Sequence, residues 1–140
     1  MVVRVVRLGN ARADGEGIRI GTVRRPPRGV AKSAFATQDW YDVWFPTLAP
    51  SVETMKLGQA ATTAAQWAAF ARKYRAEMSR PEASHALGLL AALSQSSDFS
   101  VGCYCANEAH CHRSVLRELL VEKGAEVEPP TAQNIPRTPT

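Results

Sequence analysis

Phe99-Ser100-Val101-Gly102-Cys103 runs into Tyr104-Cys105-Ala106-Asn107-Glu108-Ala109-His110-Cys111-His112-Arg113, and then into Ser114 to Lys123. The first five residues carry no charge, the pattern of a central parallel strand buried on both faces. The last stretch sets Val115, Leu116, Leu119 and Leu120 at helical spacing, so it reads as an amphipathic helix. Gly124 suits the position after a helix end, and Lys123 complements the dipole there. A strand, a loop and a helix in that order are a unit of an α/β fold. The loop holds all three cysteines, two of the three histidines and an arginine. Soft ligands and a cation between a strand's C-terminal end and a helix start mark a candidate reactive or anion-binding site.

Working outward, Ser94 to Asp98 reads as a loop. Before it, Ala83, Ala86, Leu87, Leu90 and Leu93 fit the buried face of a helix, with Ser79-Arg80-Pro81-Glu82 as its capping box. Thr63-Ala64-Ala65-Gln66 is another capping box. It opens a helix to about Met78 whose stripe of Trp67, Phe70, Ala71, Tyr74 and Met78 reads as core. Arg75 and Glu77 on that helix read as solvated. Residues 39–50 are aromatic and then broken by Pro46 and Pro50, so an irregular or short strand-like segment is expected. Ile18 to Arg24 reads as a strand with Ile18, Ile20 and Thr22 on one face, stopped by Pro26-Pro27. Asp14-Gly15-Glu16-Gly17 is a turn, and Val2 to Leu8 is a further strand. The expectation is a single α/β domain over residues 1–128, with a small, mostly parallel sheet flanked by helices and the Phe99 strand central. A disordered, proline-rich tail is expected over 129–140.

The chain has 140 residues, 45% of them hydrophobic, which suits one folded domain. No apolar run reaches the ~20 residues a membrane span needs. Arg4 and Arg7 interrupt the only apolar stretch near the start, so no signal peptide is expected. Three cysteines cannot all pair within one chain; a cytoplasmic protein is therefore expected rather than a secreted disulfide scaffold. The net charge is +4. Arg19, Arg24, Arg25, Arg28 and Lys32 crowd a segment that contains no acid. Such a segment is either a solvated basic loop or the footprint of an anionic small molecule or nucleic acid. The rings of Trp40, Tyr41, Trp44 and Phe45 follow it without interleaving, so they add little to a nucleic-acid reading.

The cysteine loop admits three chemistries. Cys103, Cys105, Cys111 and His112 are zinc-compatible ligands, but structural zinc sites separate their ligands into two pairs. Here Cys111 and His112 are adjacent, so three of the four are expected to converge at most, and no metal or other cofactor is expected. His110-Cys111 and Arg117 have the H-C-x5-R spacing of phosphotyrosine phosphatases. That loop relies on glycine to wrap a phosphate, and His112 to Leu116 has none. Finally, Cys105 or Cys111 beside a helix N-terminus and Arg113 has the setting of a lowered-pKa thiol, against the plainer reading of an inert buried one. His112 faces the apolar stripe, which suits a core histidine, yet it also stands at the helix start, which suits an acid/base. Arg113 is an anion clamp or a solvated residue. Glu108 favours the helix N-terminus, and His85 has no assigned role.

These residues resemble the DUF488 family, in particular its YeaO-like branch, over roughly residues 18–123. Arg24, Pro27, Arg28 and Gly29 match the arginine, proline and Arg-Gly that follow the family's second strand. Trp44 and Leu48-Ala49-Pro50-Ser51 match its tryptophan and Leu-Ala-Pro-Ser run. Trp67, Phe70, Tyr74 and Glu77 match its W-x2-F-x3-Y-x2-E helix, and Cys105, Glu108, Cys111, His112 and Arg113 match its cysteine, acid and Cys-His-Arg pattern. Pro26 departs from a usual aromatic. YeaO-like relatives often keep the histidine without the cysteines, which puts weight on His112. The resemblance implies an α/β fold and a site built from Arg24, Arg28 and the Cys-His-Arg segment, and it supplies no substrate.

Together these readings give an anion-binding pocket at the C-terminal ends of the strands. Arg24, Arg28 and Arg113 would bind the anion, His112 would be the acid/base, and Cys105 and Cys111 would be auxiliary. The competing expectation is a non-catalytic binding module whose Cys/His cluster is structural or metal-binding.

Overall fold

The computed structural model describes residues 1–130. Four strands, Val3–Arg7 (β1), Ile18–Gly21 (β2), Val43–Trp44 (β3) and Phe99–Cys103 (β4), form a sheet of order β1-β4-β2-β3. Every pairing is parallel, with Val5 opposite Val101 and Ile20 opposite Val101 on its other side. β4 is central, and all five of its residues are buried. That is why its sequence shows no polar alternation. On the outer edge of β1, Val127 bridges Val3 and covers part of an otherwise open strand.

Four helices, Val52–Ala60 (α1), Ala64–Met78 (α2), Pro81–Leu93 (α3) and His112–Glu122 (α4), complete an α/β domain. Phe70, Tyr74, Met78, Leu87, Leu90, Val115, Leu116 and Leu120 form one core with Val3, Val5, Phe99 and Val101. α2, α3 and α4 thus bury their apolar stripes on a common region of the sheet. On α3 the stripe continues from Leu90 and Ala91 to Ser94, which is fully buried, whereas Leu93 is 41% exposed. At ~100° per residue Leu93 falls well off the line through Ala83, Leu87 and Leu90, so the expected assignment of Leu93 to the core is corrected. The Thr63 capping box is present. The Ser79 one is not: Arg80 is the N-cap without a side-chain bond, Ser79 Oγ donates to Ala76 O, and Pro81 alone pre-sets the turn.

Four further departures matter. α1 lies in a segment where the sequence signalled no helix. Ser51 caps it, accepting from Thr54 N at 3.3 Å, and Glu77 accepts from Ser51 N, Ser51 Oγ and Thr54 Oγ1 at 2.9, 2.6 and 2.9 Å. Glu77, expected in solvent, therefore holds the start of α1. β2 stops at Gly21 rather than Arg24, and a side chain at Gly21 would strike the Tyr41 ring, which lies 2.3 Å from where its Cβ would stand. On β2 Ile18 is 55% exposed, whereas Arg19 is 1% exposed. Gly124 follows α4 with φ +90°, as a C-terminal cap requires. The tail expected at 129–140 lies, from residue 131 on, outside the described residues.

Candidate functional site

β4 delivers Cys103 to the end of the sheet, and a single 3-10 turn, Glu108–His110, returns the chain to α4. The loop is tied down from three sides. Asn107 Oδ1 accepts from Ala109 N at 3.0 Å. Glu108, buried, takes both nitrogens of a forked pair from Arg117 at 2.8 and 2.9 Å, and Arg117 also donates to the Glu128 carbonyl. Arg113, wholly buried, donates to Cys105 O at 2.6 Å. Arg117 is thus engaged away from Cys111, as the absence of a phosphate-wrapping glycine suggests.

Inside this loop Cys103, Cys111 and His112 converge, with one ligand atom of each within 4.8 Å of the others. All three are buried, while Cys105 is exposed, and the three cysteines are free thiols. His112 Nε2 lies 2.8 Å from Thr22 O. A carbonyl only accepts, so Nε2 carries the hydrogen and Nδ1 presents a lone pair, 3.7 Å from Cys111 Sγ. Burial pushes the His112 pKa down to about 4, against the pull of the Thr22 hydrogen bond. The imidazole is therefore neutral at pH 7, which suits a ligand or a hydrogen-bond acceptor better than an acid. For Cys111, burial opposes ionisation, but hydrogen bonds with Cys103 and Cys105 and the Arg113 charge outweigh it, holding the thiol well below its ordinary range. Burial pushes Cys103 the other way. The cluster favours one thiolate, on Cys111.

The cluster floors a cleft of about 990 Å3 at the C-terminal ends of β1, β2 and β4. Arg24, Arg28, Cys105, Cys111 and His112 all line it, so two segments far apart in sequence meet there. The expected residue that does not line it is Arg113, which is packed behind the loop. Arg24 spends most of its fork on structure, donating to Pro50 O, Pro46 O and Ala49 O at 3.2, 3.3 and 3.0 Å. It thereby fixes the turn that leads into α1. Arg25, Arg28 and Lys56 line the cleft with no side-chain partner among the described residues, and Arg7 lines it while donating to Tyr104 O at 3.3 Å. Among the described residues no carboxylate lines it.

Several of these residues escaped the sequence reading. Lys56 was invisible because α1 was. The pairing of Leu48-Ala49-Pro50-Ser51 with Glu53 at the second helical position is a capping signal that could have found it. Trp67 was assigned to the core with Phe70 and Tyr74. Phe70 and Tyr74 are at most 2% exposed, but Trp67 is only partly buried. It packs on Phe70 at 4.7 Å and on the His110 ring at 5.8 Å, and the pair forms a cleft wall. Trp40 and Tyr104 meet edge-on at 5.9 Å on another side. Arg19 leaves the basic segment altogether. Its guanidinium is sealed by Glu16 at 2.8 and 3.0 Å and by the carbonyls of Asn10 and Asp39 at 2.8 and 2.7 Å.

Among the described residues no helix is long and apolar enough to cross a membrane. Neither a curated protein nor a solved structure matches the chain. A family model described as DUF488-N3a, the active DUF488-N3 subclade, matches residues 3–124, from the first residue of β1 to the glycine that ends α4. That span takes in every strand and helix and the whole cysteine loop, so the chain belongs to the DUF488 family.

Proposed function

We propose that the cleft binds an anion bearing a flat ring, a nucleotide either free or within a nucleic acid, and that the Cys/His cluster is the end of the cleft where the ligand is worked on or held. The lining carries the reading: Arg7, Arg24, Arg25, Arg28 and Lys56 face the cleft without one carboxylate. A concave, partly apolar wall focuses such a one-signed field on an anion. The Trp67–His110 pair and Trp40 offer faces on which a base would stack, the usual partner of a basic groove. Arg28, with Arg25 and Lys56 also on the lining, would take the phosphate, while Arg24 contributes charge from a fixed position. Arg113 acts from behind, through the loop carbonyl it holds and the charge it gives Cys111.

Cys111, with Cys105 at the rim, is the candidate nucleophile, and His112 Nδ1 is the acceptor beside it. Three free thiols in one loop also suit a reducing compartment, so we place the protein in the cytoplasm. The competing reading is a binding module without chemistry, and the neutral, carbonyl-tethered His112 favours a holding role for the cluster.

A thermal-shift series with inorganic phosphate, AMP, ATP and a short single-stranded oligonucleotide tests the proposal. A ligand at ~100 times its Kd adds about 2.7 kcal/mol to the native state. The expected result is a rise in Tm with a nucleotide that shrinks as salt increases and is lost in Arg25→Glu/Arg28→Glu. No rise with any of the four probes, or a rise that the double variant keeps, would refute the assignment.

A further inference from the structure

We propose that Cys103, Cys111 and His112, with Cys105 as the fourth donor, form a binding site for one divalent ion of the zinc class. Separate elements supply the donors: Cys103 ends β4, Cys105 stands in the loop, and Cys111 and His112 open α4. Adjacency in sequence does not separate Cys111 from His112 in space. Cys111 is the extended residue before the helix, φ −135° and ψ 153°, so its side chain does not follow the helical rotation of its neighbour.

The donor atoms of Cys103, Cys111 and His112 lie within 4.8 Å of one another, and Cys111 Sγ and His112 Nδ1 are 3.7 Å apart. Bond lengths of ~2.0–2.3 Å to zinc set tetrahedral donors roughly 3.4–3.8 Å apart. The Cys111–His112 spacing is therefore near its bound value before any ion is added. Cys105, two residues past Cys103 and exposed, is the donor that would close the shell from the solvent side.

The surroundings fit an ion as well as the donors do. A metal-bound histidine characteristically gives its other ring hydrogen to a carbonyl or carboxylate, fixing the tautomer and the ring. His112 does so to Thr22 O, and Tyr74 packs edge-on against the ring at 5.5 Å. Cys105 N–H donates to Cys103 Sγ at 3.4 Å, a bond that supports a thiolate. Three thiolates around a divalent ion leave one negative charge, and the buried Arg113 cation beside Cys111 offsets it. Leu8, Val23 and Tyr41 pack around Cys103 and Cys111 and hold them in place. All four donors are soft or borderline, which selects zinc over magnesium or calcium.

The test uses the full chain, freed of metal with a chelator under reducing conditions and titrated with Co2+ alone. Saturation at one ion per chain is expected, with strong near-ultraviolet thiolate-to-cobalt absorption and visible bands of a tetrahedral ion, all removed by Zn2+. Cys111→Ser should weaken binding by more than about 100-fold, beyond the loss of an outer-shell partner alone. The exposed Cys105→Ser, which should fold normally, should bind more weakly with shifted visible bands. Absence of the near-ultraviolet band in the wild-type protein at one equivalent of cobalt would overturn the site, as would its persistence in folded Cys103→Ser and Cys111→Ser. Where those buried variants do not fold, alkylation of the wild-type protein decides: zinc should shield the exposed Cys105, and equal labelling of Cys105 with and without zinc rejects the proposal. No anion is present in these titrations, so they succeed or fail separately from the nucleotide reading, which the Tm of metal-free protein reports.

Discussion

Arg19 and Arg28 come from one basic run of sequence and meet opposite fates. Arg19, on β2, is 1% exposed and donates to both oxygens of Glu16 and to two loop carbonyls. One of those carbonyls belongs to Asp39, held at φ 62°, a conformation that aspartate tolerates and most residues avoid. Arg28, beyond the proline pair, is exposed and lines the cleft with no side-chain partner among the described residues. A run of like charges thus says little about where each charge ends up. What separates the two is the supply of acceptors. Arg19 has an acid three residues earlier, on the turn that feeds its own strand, and Arg28 has none within reach. The sealed charge belongs to the fold, and the open one is left for the anion we propose.

The largest expected effect is on the sealed side. Arg19→Met keeps much of the volume but leaves Glu16 buried without its cation. Breaking a buried pair in this way costs about 3–5 kcal/mol, a large part of a domain's ~5–15 kcal/mol. A urea titration should show the midpoint falling steeply, or no folded protein at all. If Arg19→Met unfolds at the wild-type midpoint, the distinction between the two arginines is wrong.

Glu77 tests an intermediate case, a half-buried charge that serves a helix end. Glu77→Gln keeps the shape and removes the charge that accepts from Ser51 and Thr54. A hydrogen bond to a charged group contributes about 1.5–3 kcal/mol, so a loss in that range is expected. Hydrogen exchange should place the loosening in α1, since Glu77 caps that helix and no other. Uniform loosening across the sheet would show that Glu77 supports more than a cap.

How far the sequence foretold these roles depended on whether the signal was local. β4 and α4 were legible because an uncharged run and a 3.6-residue stripe each report burial directly. A mostly parallel sheet was expected from strands and helices intermixed, and the sheet is all parallel although β1, β2 and β3 precede every α-helix. The buried roles of Arg19 and Glu77 were not legible, because each depends on a partner chosen by the fold. Glu77 meets residues 26 and 23 positions away, and Arg19 reaches a carbonyl 20 positions away. Periodicity cannot see such pairings. Within the site, the meeting of Arg24 and Arg28 with the cysteine loop was foreseeable, since both segments follow neighbouring strands. The choice between a core and an acid/base His112, and the turning of Trp67 toward the cleft, were not. A stripe position at a helix start can point into the core or into a cleft, and only the elements packed above it decide.

Acid sharpens the comparison further. Burial opposes the charge on Glu16, but hydrogen bonds from Arg19, Ser100 and Ala13 outweigh it and hold its pKa below the ordinary value. Glu77 is held down in the same way, by Ser51 and Thr54 against burial. Each carboxyl therefore binds a proton less readily folded than unfolded. Their contribution is complete above the unfolded carboxyl pKa of about 4.3 and is lost as pH falls through the lower folded values. Tm should begin to fall below about pH 6.5, where the unfolded chain protonates His112 and the buried ring does not, and fall further below about pH 4 as the two carboxyls take up protons. Glu77→Gln should flatten part of that fall. A Tm that is level down to pH 3 would contradict both depressions.

The smallest expected effect on stability is on the open side. Arg28→Ser removes an exposed cation with no side-chain partner, and such changes usually stay within about 0.5 kcal/mol. The same substitution takes a charge from a cleft that has no acid to balance it, so the salt dependence of nucleotide binding should become shallower. Set beside Arg19→Met, it separates the two roles in one experiment. Arg19→Met should move the urea midpoint whether or not a ligand is present. Arg28→Ser should leave the midpoint of the free protein alone and reduce only the added stability that a nucleotide brings. If Arg28→Ser lowers the midpoint of the free protein by more than about 1 kcal/mol, its side chain is structural after all, and the cleft loses the cation on which its anion reading chiefly rests.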